Sequence, residues 1–238
     1  DNLYCLEVNP RSSRTVPFVA KSTGLPMARI AARITIGIPL SQQEIPRRTT
    51  GHVCVKAPVF PFIKLRGLDP APGPEMKSTG EVFGSDIRAD LAYLKARLAT
   101  EIPVATEGGA YLTVREEDKA ALVPIAQSLI DINFTIFATP GTADVLRKAN
   151  IPVTTSYRIA ERMHPDSLDL MRKGDVNFIV NVPTISGGAV RDGNMMRRLA
   201  VELNIPFVTT MRGAVMEVAA MKARLENNLE PRRLEVHY

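Results

Sequence analysis

No run in this sequence approaches the ~18 consecutive apolar residues of a membrane-spanning helix, so none is expected. Cysteine is scarce. Cys5 and Cys54 are the only two, which excludes a disulfide framework and fits a reducing compartment. Both sit among apolar residues and are expected to be inert core thiols. There is no leader pattern, no tandem repeat and no low-complexity segment. A broad basic face is also missing. Of the net charge of +5, most lies before residue 108, where 14 basic residues meet 10 acidic ones, against 16 and 15 afterwards. Much of that excess lies in Arg11, Arg14, Lys21, Arg29 and Arg33, which suits a compact anion better than a nucleic acid. Arg29 and Arg33 stand four apart and read as a solvated helix face. Neither nucleic acid nor membrane is an expected partner, and the expected location is the cytoplasm.

What remains is ordinary for a globular chain: 238 residues, 45% hydrophobic and 23% charged, enough for one large or two modest domains. The chain opens with Leu3 to Val8, read as a buried strand that runs straight into charge. The expectation is the tail of a larger enzyme, cut just before a metal and phosphate site. A helix is expected over 17–37, stopped by Gly37. Recurrent prolines break up residues 38–84, with one short strand near His52–Lys56. A helix over 86–99 and a linker over 101–107 follow. Strands are then expected at 110–114, 134–139, 153–157, 177–182 and 206–210, with helices at 117–132, 142–150, 166–173, 191–204 and 212–227. Strands that are apolar nearly throughout, alternating with helices, indicate an α/β fold with a doubly wound parallel five-stranded sheet. The expected domains are 1–100 and 108–238.

Two candidate sites follow. On an extended chain Glu7 and Asn9 share a face, held by Pro10, so a carboxylate and an amide oxygen can meet one hard cation. Arg11 and Arg14 add forked donors for phosphate. The second site lies beyond strand ends, where open parallel sheets bind ligands. Thr113, Thr139 and Asn181 sit there, and Thr139-Pro140-Gly141-Thr142 leads into a helix start suited to an anion. Gly141 allows close backbone approach; Thr142 is alternatively a plain helix cap. Lys119 is either a phosphate contact or a surface residue paired with Glu116, Glu117 or Asp118. The three histidines show no metal-ligand spacing, and Arg197 and Arg198 are expected only to pair with helix neighbours.

The phrases "LEVNPRSSRTVPFVAKSTG", "GPEMKSTGEVFG", "YLTVREEDK" and "FATPGTADVL" resemble, in that order, the large subunit of carbamoyl phosphate synthetase. The resemblance runs from the end of its second ATP-grasp domain through its methylglyoxal-synthase-like regulatory domain. It implies an ATP-dependent ligase of pyrimidine and arginine synthesis, with ATP as substrate, magnesium or manganese as cofactor, a small glutaminase subunit as partner, a nucleotide effector of the UMP or IMP type, and a homo-oligomeric holoenzyme. It assigns metal coordination to Glu7 and Asn9, phosphate contact to Arg11, the carbamate passage to Arg14, Lys56 and Glu81, and effector contacts to Thr113, Lys119, Thr139, Thr142, Asn181 and Arg158. In bacterial relatives a lysine stands where Arg158 falls, a threonine where Pro183 stands, and an ornithine-binding glutamate where Ala57 stands. A stand-alone nucleotide sensor is an alternative. A methylglyoxal-synthase-like lyase is another, although Asp192 is out of register for the base that chemistry needs.

Overall fold

The computed structural model describes residues 4–5, 8, 10–45, 51–60, 70–71, 77–100, 102–183, 188–226 and 229. Helices α1 (Thr15–Thr23) and α2 (Met27–Thr35) come first, followed by an antiparallel ribbon of β1 (Val53–Val59) and β2 (Gly80–Asp86), on which α3 (Ala89–Leu98) packs. Strands β3 (Gly109–Thr113), β4 (Thr135–Ala138), β5 (Thr154–Thr155), β6 (Phe178–Asn181) and β7 (Phe207–Val208) form a parallel sheet in the order β5-β4-β3-β6-β7. Between and after them run α4 (Lys119–Ile130), α5 (Pro140–Lys148), α6 (Ser167–Lys173), α7 (Gly188–Glu202) and α8 (Met211–Glu226).

Alternation along each strand divides the core between the two sheet faces. Ala110, Leu112, Phe178 and Val180 enter a cluster with Leu122 and Leu129 of α4, Leu146 of α5 and Met221 of α8. Tyr111 and Ile179 point the other way, to Leu168 and Met171 of α6 and Met196 and Ala200 of α7. Both faces are covered, which is why these strands read as apolar throughout. The Tyr111 hydroxyl is met at 2.7 Å by Ser156, and burial pushes its pKa up to about 12.

The structure corrects several expectations before residue 108. The helix over 17–37 is two helices. Gly24 caps α1 with a left-handed φ of 70°, and Pro26 stands at the N-cap of α2. A left-handed glycine ends a helix, and proline cannot continue one. Of the strand over 3–8, only Tyr4, Cys5 and Val8 fall within the described residues; they are exposed and in no strand. Cys5 is therefore no core thiol, and Cys54 is half-buried beside Ser85 at 3.6 Å. Strand β2 was not expected at all. Gly80, Gly84 and Ser85 give it low strand propensity, yet Gly84 is what seats it: a Cβ there would lie 2.1 Å from the Ala92 carbonyl oxygen. Residues 102–107 of the expected linker are packed, since Val104 is buried and its carbonyl accepts from Arg224 of α8 at 3.4 Å.

Candidate functional site

The sheet order places a switch point at β3 and β6. The chain leaves β3 toward β4 and β5, then returns to build β6 on the other side. Ligands of open α/β sheets bind in the crevice that forms there, beyond the strands' carboxyl ends. Thr113 and Asn181 end these two strands and are register partners, so the sequence-expected pair is side by side. Next to them, β4 ends at Ala138 and Thr139 becomes the N-cap of α5.

Thr139, not Thr142, occupies that cap, and its hydroxyl makes no capping bond to the helix backbone. It donates instead to the Thr142 hydroxyl at 3.3 Å. Thr142 is buried. Pro140 has no N–H, and the Gly141 N–H donates to nothing among the described residues. Lys119 begins α4, and its Nζ stands where a Cβ on Gly141 would lie 3.0 Å away. Of the two readings of Lys119 the structure shows the acid pairing: it is ion-paired with the largely exposed Glu116 and is only 15% exposed itself. An ammonium over a glycine at a helix start is an arrangement that receives an anion. Arg158 is different. It is exposed beyond β5, and its backbone N–H closes a turn onto Glu161 at 3.0 Å. No contact among the described residues ties it to the strand-end cluster.

One neighbour of this cluster escaped the sequence reading. Arg197 of α7 is 2% exposed and donates through Nη1 to Oδ1 of Asn181. A glycine in mid-helix usually has a packing reason, and Gly193, one turn before Arg197, was the available signal.

A second cluster lies on the ribbon. Register pairs Pro58 with Glu81, so Lys56 and Glu81 stand two residues out of step on adjacent strands, with their charges 3.3 Å apart. Lys56 also reaches the Thr15 hydroxyl at 3.4 Å and stands 5.8 Å from the centre of the Phe18 ring. Arg14 donates to the carbonyls of Ser78 at 3.3 Å and Thr79 at 3.2 Å. Arg14, Phe18, Lys21, Lys56, Glu81 and Phe83 line a cleft of about 310 Å³. The structure thus brings Arg14, Lys56 and Glu81 together. Arg11 is exposed, and Glu7 and Asn9 lie outside the described residues.

His164, Asp166 and Asp169 bring their ligand atoms within 4.8 Å of one another, a grouping the sequence did not suggest. The carboxylates are occupied in capping α6. Asp166 accepts from the N–H groups of Leu168 at 2.8 Å and Asp169 at 3.0 Å, and Asp169 accepts from the Asp166 N–H at 2.9 Å.

Two family models match separate parts of the chain. Residues 1–43 match the carbamoyl-phosphate synthase L chain, ATP binding domain, and residues 121–209 match the MGS-like domain. The chain is 42% identical over 233 residues to the carbamoyl phosphate synthase large chain, C-terminal section, of Methanocaldococcus jannaschii, covering 93% of this chain and 37% of that protein. Against the section of the same name from Methanopyrus kandleri it is 41% identical over 228 residues, covering 93% and 42%. Against the carbamoyl phosphate synthase large chain of Methanosarcina barkeri it is 40% identical over 221 residues, covering 92% and 55%. The chain carries an MGS-like domain and is a relative of the carbamoyl phosphate synthase large chain. It spans between 20% and 55% of the length of the curated relatives it matches. The MGS-like match contains Thr139, Gly141, Thr142, Arg158 and Asn181, whereas Thr113 and Lys119 lie just before it. No helix among the described residues is long and apolar enough to cross a membrane.

Proposed function

We propose that this chain forms the C-terminal part of an ATP-dependent ligase that makes carbamoyl phosphate from bicarbonate, glutamine-derived ammonia and ATP. Its five-stranded sheet binds a nucleotide effector. The observation that carries the reading is the order of two matches on one chain, an ATP-binding domain at 1–43 and an MGS-like domain at 121–209. In this reading Glu7 and Asn9 hold magnesium or manganese, Arg11 meets phosphate, and Arg14, Lys56 and Glu81 border the carbamate passage. The partners are a glutaminase subunit and further copies of the holoenzyme, in the cytoplasm.

The effector enters by its phosphate. Lys119 over Gly141 and the start of α5 make the grip, with the hydroxyls of Thr139 and Thr142 beside it; Thr113 and Asn181 face the remainder of the nucleotide. Arg158 joins only when ligand is bound, because its side chain lies apart from the cluster. Calorimetry with residues 1–238 tests this. Uridine or inosine monophosphate is expected to saturate the protein. Lys119→Ala and Thr142→Ala are expected to weaken binding about tenfold or more, since a charge-assisted contact is worth roughly 1.5–3 kcal/mol. No heat from either nucleotide at millimolar concentration would overturn the effector assignment.

A further inference from the structure

Asn181 does not choose its own orientation. We propose that Arg197 is a positioning residue that turns the Asn181 amide so that only its NH2 group faces the strand-end crevice, and that the pocket therefore selects a ligand atom that accepts a hydrogen bond. The inference rests on the reading of that crevice as the effector pocket and goes one step beyond it, to the chemistry of what Asn181 recognises.

The argument begins with donor and acceptor chemistry. An asparagine amide presents an acceptor on one side and two donors on the other, and a guanidinium has donors alone. A guanidinium against an asparagine therefore fixes which way the amide faces. Arg197 Nη1 donates to Asn181 Oδ1, and both side chains are buried, at 2% and 5% exposure. The oxygen is thus committed, whereas Nδ2 donates to nothing among the described residues. Reversing the amide would set its NH2 against a guanidinium in a buried place, where an unmet donor costs far more than in water.

Packing supports the same conclusion. Gly193 lies one turn before Arg197 on α7. A Cβ at Gly193 would stand 2.9 Å from Arg197 Nη1 and 3.1 Å from Asn181 Oδ1, in the space where the two groups meet. Glycine in a helix interior is destabilising relative to alanine. Here it leaves room for this contact. A carbonyl oxygen of the ligand then pairs with Asn181 Nδ2, while the Lys119 and α5 grip takes the phosphate independently.

The test uses residues 1–238 and three probes: uridine monophosphate, inosine monophosphate and inorganic phosphate. Arg197→Lys keeps the charge and loses the planar fork; Gly193→Ala disturbs the contact without touching either partner's chemistry. Each is expected to weaken nucleotide binding about tenfold while leaving inorganic phosphate binding unchanged, and neither is expected to weaken it further in an Asn181→Ala background. Equal loss for nucleotide and phosphate, or full loss in the Asn181→Ala background, would show a structural role only and overturn the inference. The side-chain amide resonances of Asn181 give a second reading that needs no ligand. The two protons stay distinct in any amide because its C–N bond turns slowly, but their shifts are expected to move toward those of a free asparagine amide in Arg197→Lys, and an unchanged pair would overturn the inference. A wild type that binds no probe but whose amide shifts move in Arg197→Lys defeats the effector reading and leaves the positioning intact. Binding without coupling between residues 197 and 181 does the reverse.

Discussion

Glu217 of α8 holds Arg97 of α3 with both carboxylate oxygens, at 3.1 and 2.9 Å from Nε. The two residues are 120 positions apart, and Glu217 is almost wholly buried. The Tyr93 hydroxyl donates to the same carboxylate at 2.9 Å, and burial and then the charge of Glu217 keep that hydroxyl protonated far above its ordinary range. Breaking one side of a buried pair leaves the other charge uncompensated, which costs about 3–5 kcal/mol. Glu217→Ala is therefore expected to lower the unfolding free energy of residues 1–238 by that much, read from urea denaturation. A change below about 1 kcal/mol would mean that Arg97 finds water instead.

The same contact bears on where the part of the chain built on the five-stranded sheet begins. The sequence expectation placed that boundary at residue 108, but α3 covers the α8 face that carries Glu217. Residues 87–238 are expected to fold as a stable unit. Residues 108–238 are expected to be less stable by several kcal/mol, since a fully buried Leu or Ile alone contributes about 1.5–3 kcal/mol and Leu94 is fully buried. Chemical denaturation of the two segments, with equal midpoints as the contrary result, decides this.

At Gly84 the expected result is steric. A methyl group there meets the backbone of α3, with Ala92 O at 2.1 Å and Ala96 N at 2.5 Å from the new carbon. Gly84→Ala is expected to destabilise by at least 1–3 kcal/mol, the usual range for overpacking. Thermal unfolding indistinguishable from the wild type would show that the ribbon slides freely.

His164 supplies a pH signal. Its hydrogen bond to Asp169, and then the charge of that group, raise its pKa above the ordinary 6.5; the same hydrogen bond lowers that of Asp169. Folding thus favours the charged pair. Its contribution is full below the ordinary histidine pKa and fades as pH rises through the raised value, and on the acid side it fades as pH falls through the lowered value of Asp169. Both groups are solvated, so the effect on stability is small and the titration itself is the readout. The His164 ring resonance is expected to titrate above 6.5 and to return toward it in Asp169→Asn; a midpoint indifferent to that substitution would refute the pairing.

In a full-length large chain, Glu7→Gln is expected to lower the carbamate-phosphorylating rate by orders of magnitude, because the metal ion neutralises charge that builds on the transferred phosphate. Assay of carbamoyl phosphate formation with ammonia as nitrogen source reads this step directly. A near-normal rate would remove Glu7 from the metal site.

The half that holds the five-stranded sheet was readable because each strand reports its burial by composition: Phe178, Ile179 and Val180 are apolar and fully buried. The strand-end residues followed from topology, since Thr113 and Asn181 close their strands and Thr139 directly follows β4. The first hundred residues were harder. Their strand β2 is glycine-rich and is held by α3 rather than by its own propensity, and the break between α1 and α2 depends on Gly24 and Pro26, weak punctuation inside an otherwise helical pattern. Arg97 with Glu217 left no trace in local sequence, because a pair 120 residues apart is visible only in the fold.

The seat of β2 on α3 has a mechanical consequence. Contacts between side chains yield, because a rotamer can change and absorb a displacement. At Gly84 there is no side chain to yield, and the strand lies directly on the α3 backbone. A small rotation of α3, which α8 grips through Glu217, therefore reaches the ribbon undamped, and Glu81 lies three residues along the same strand. Stiffness here comes from the residue with the fewest atoms.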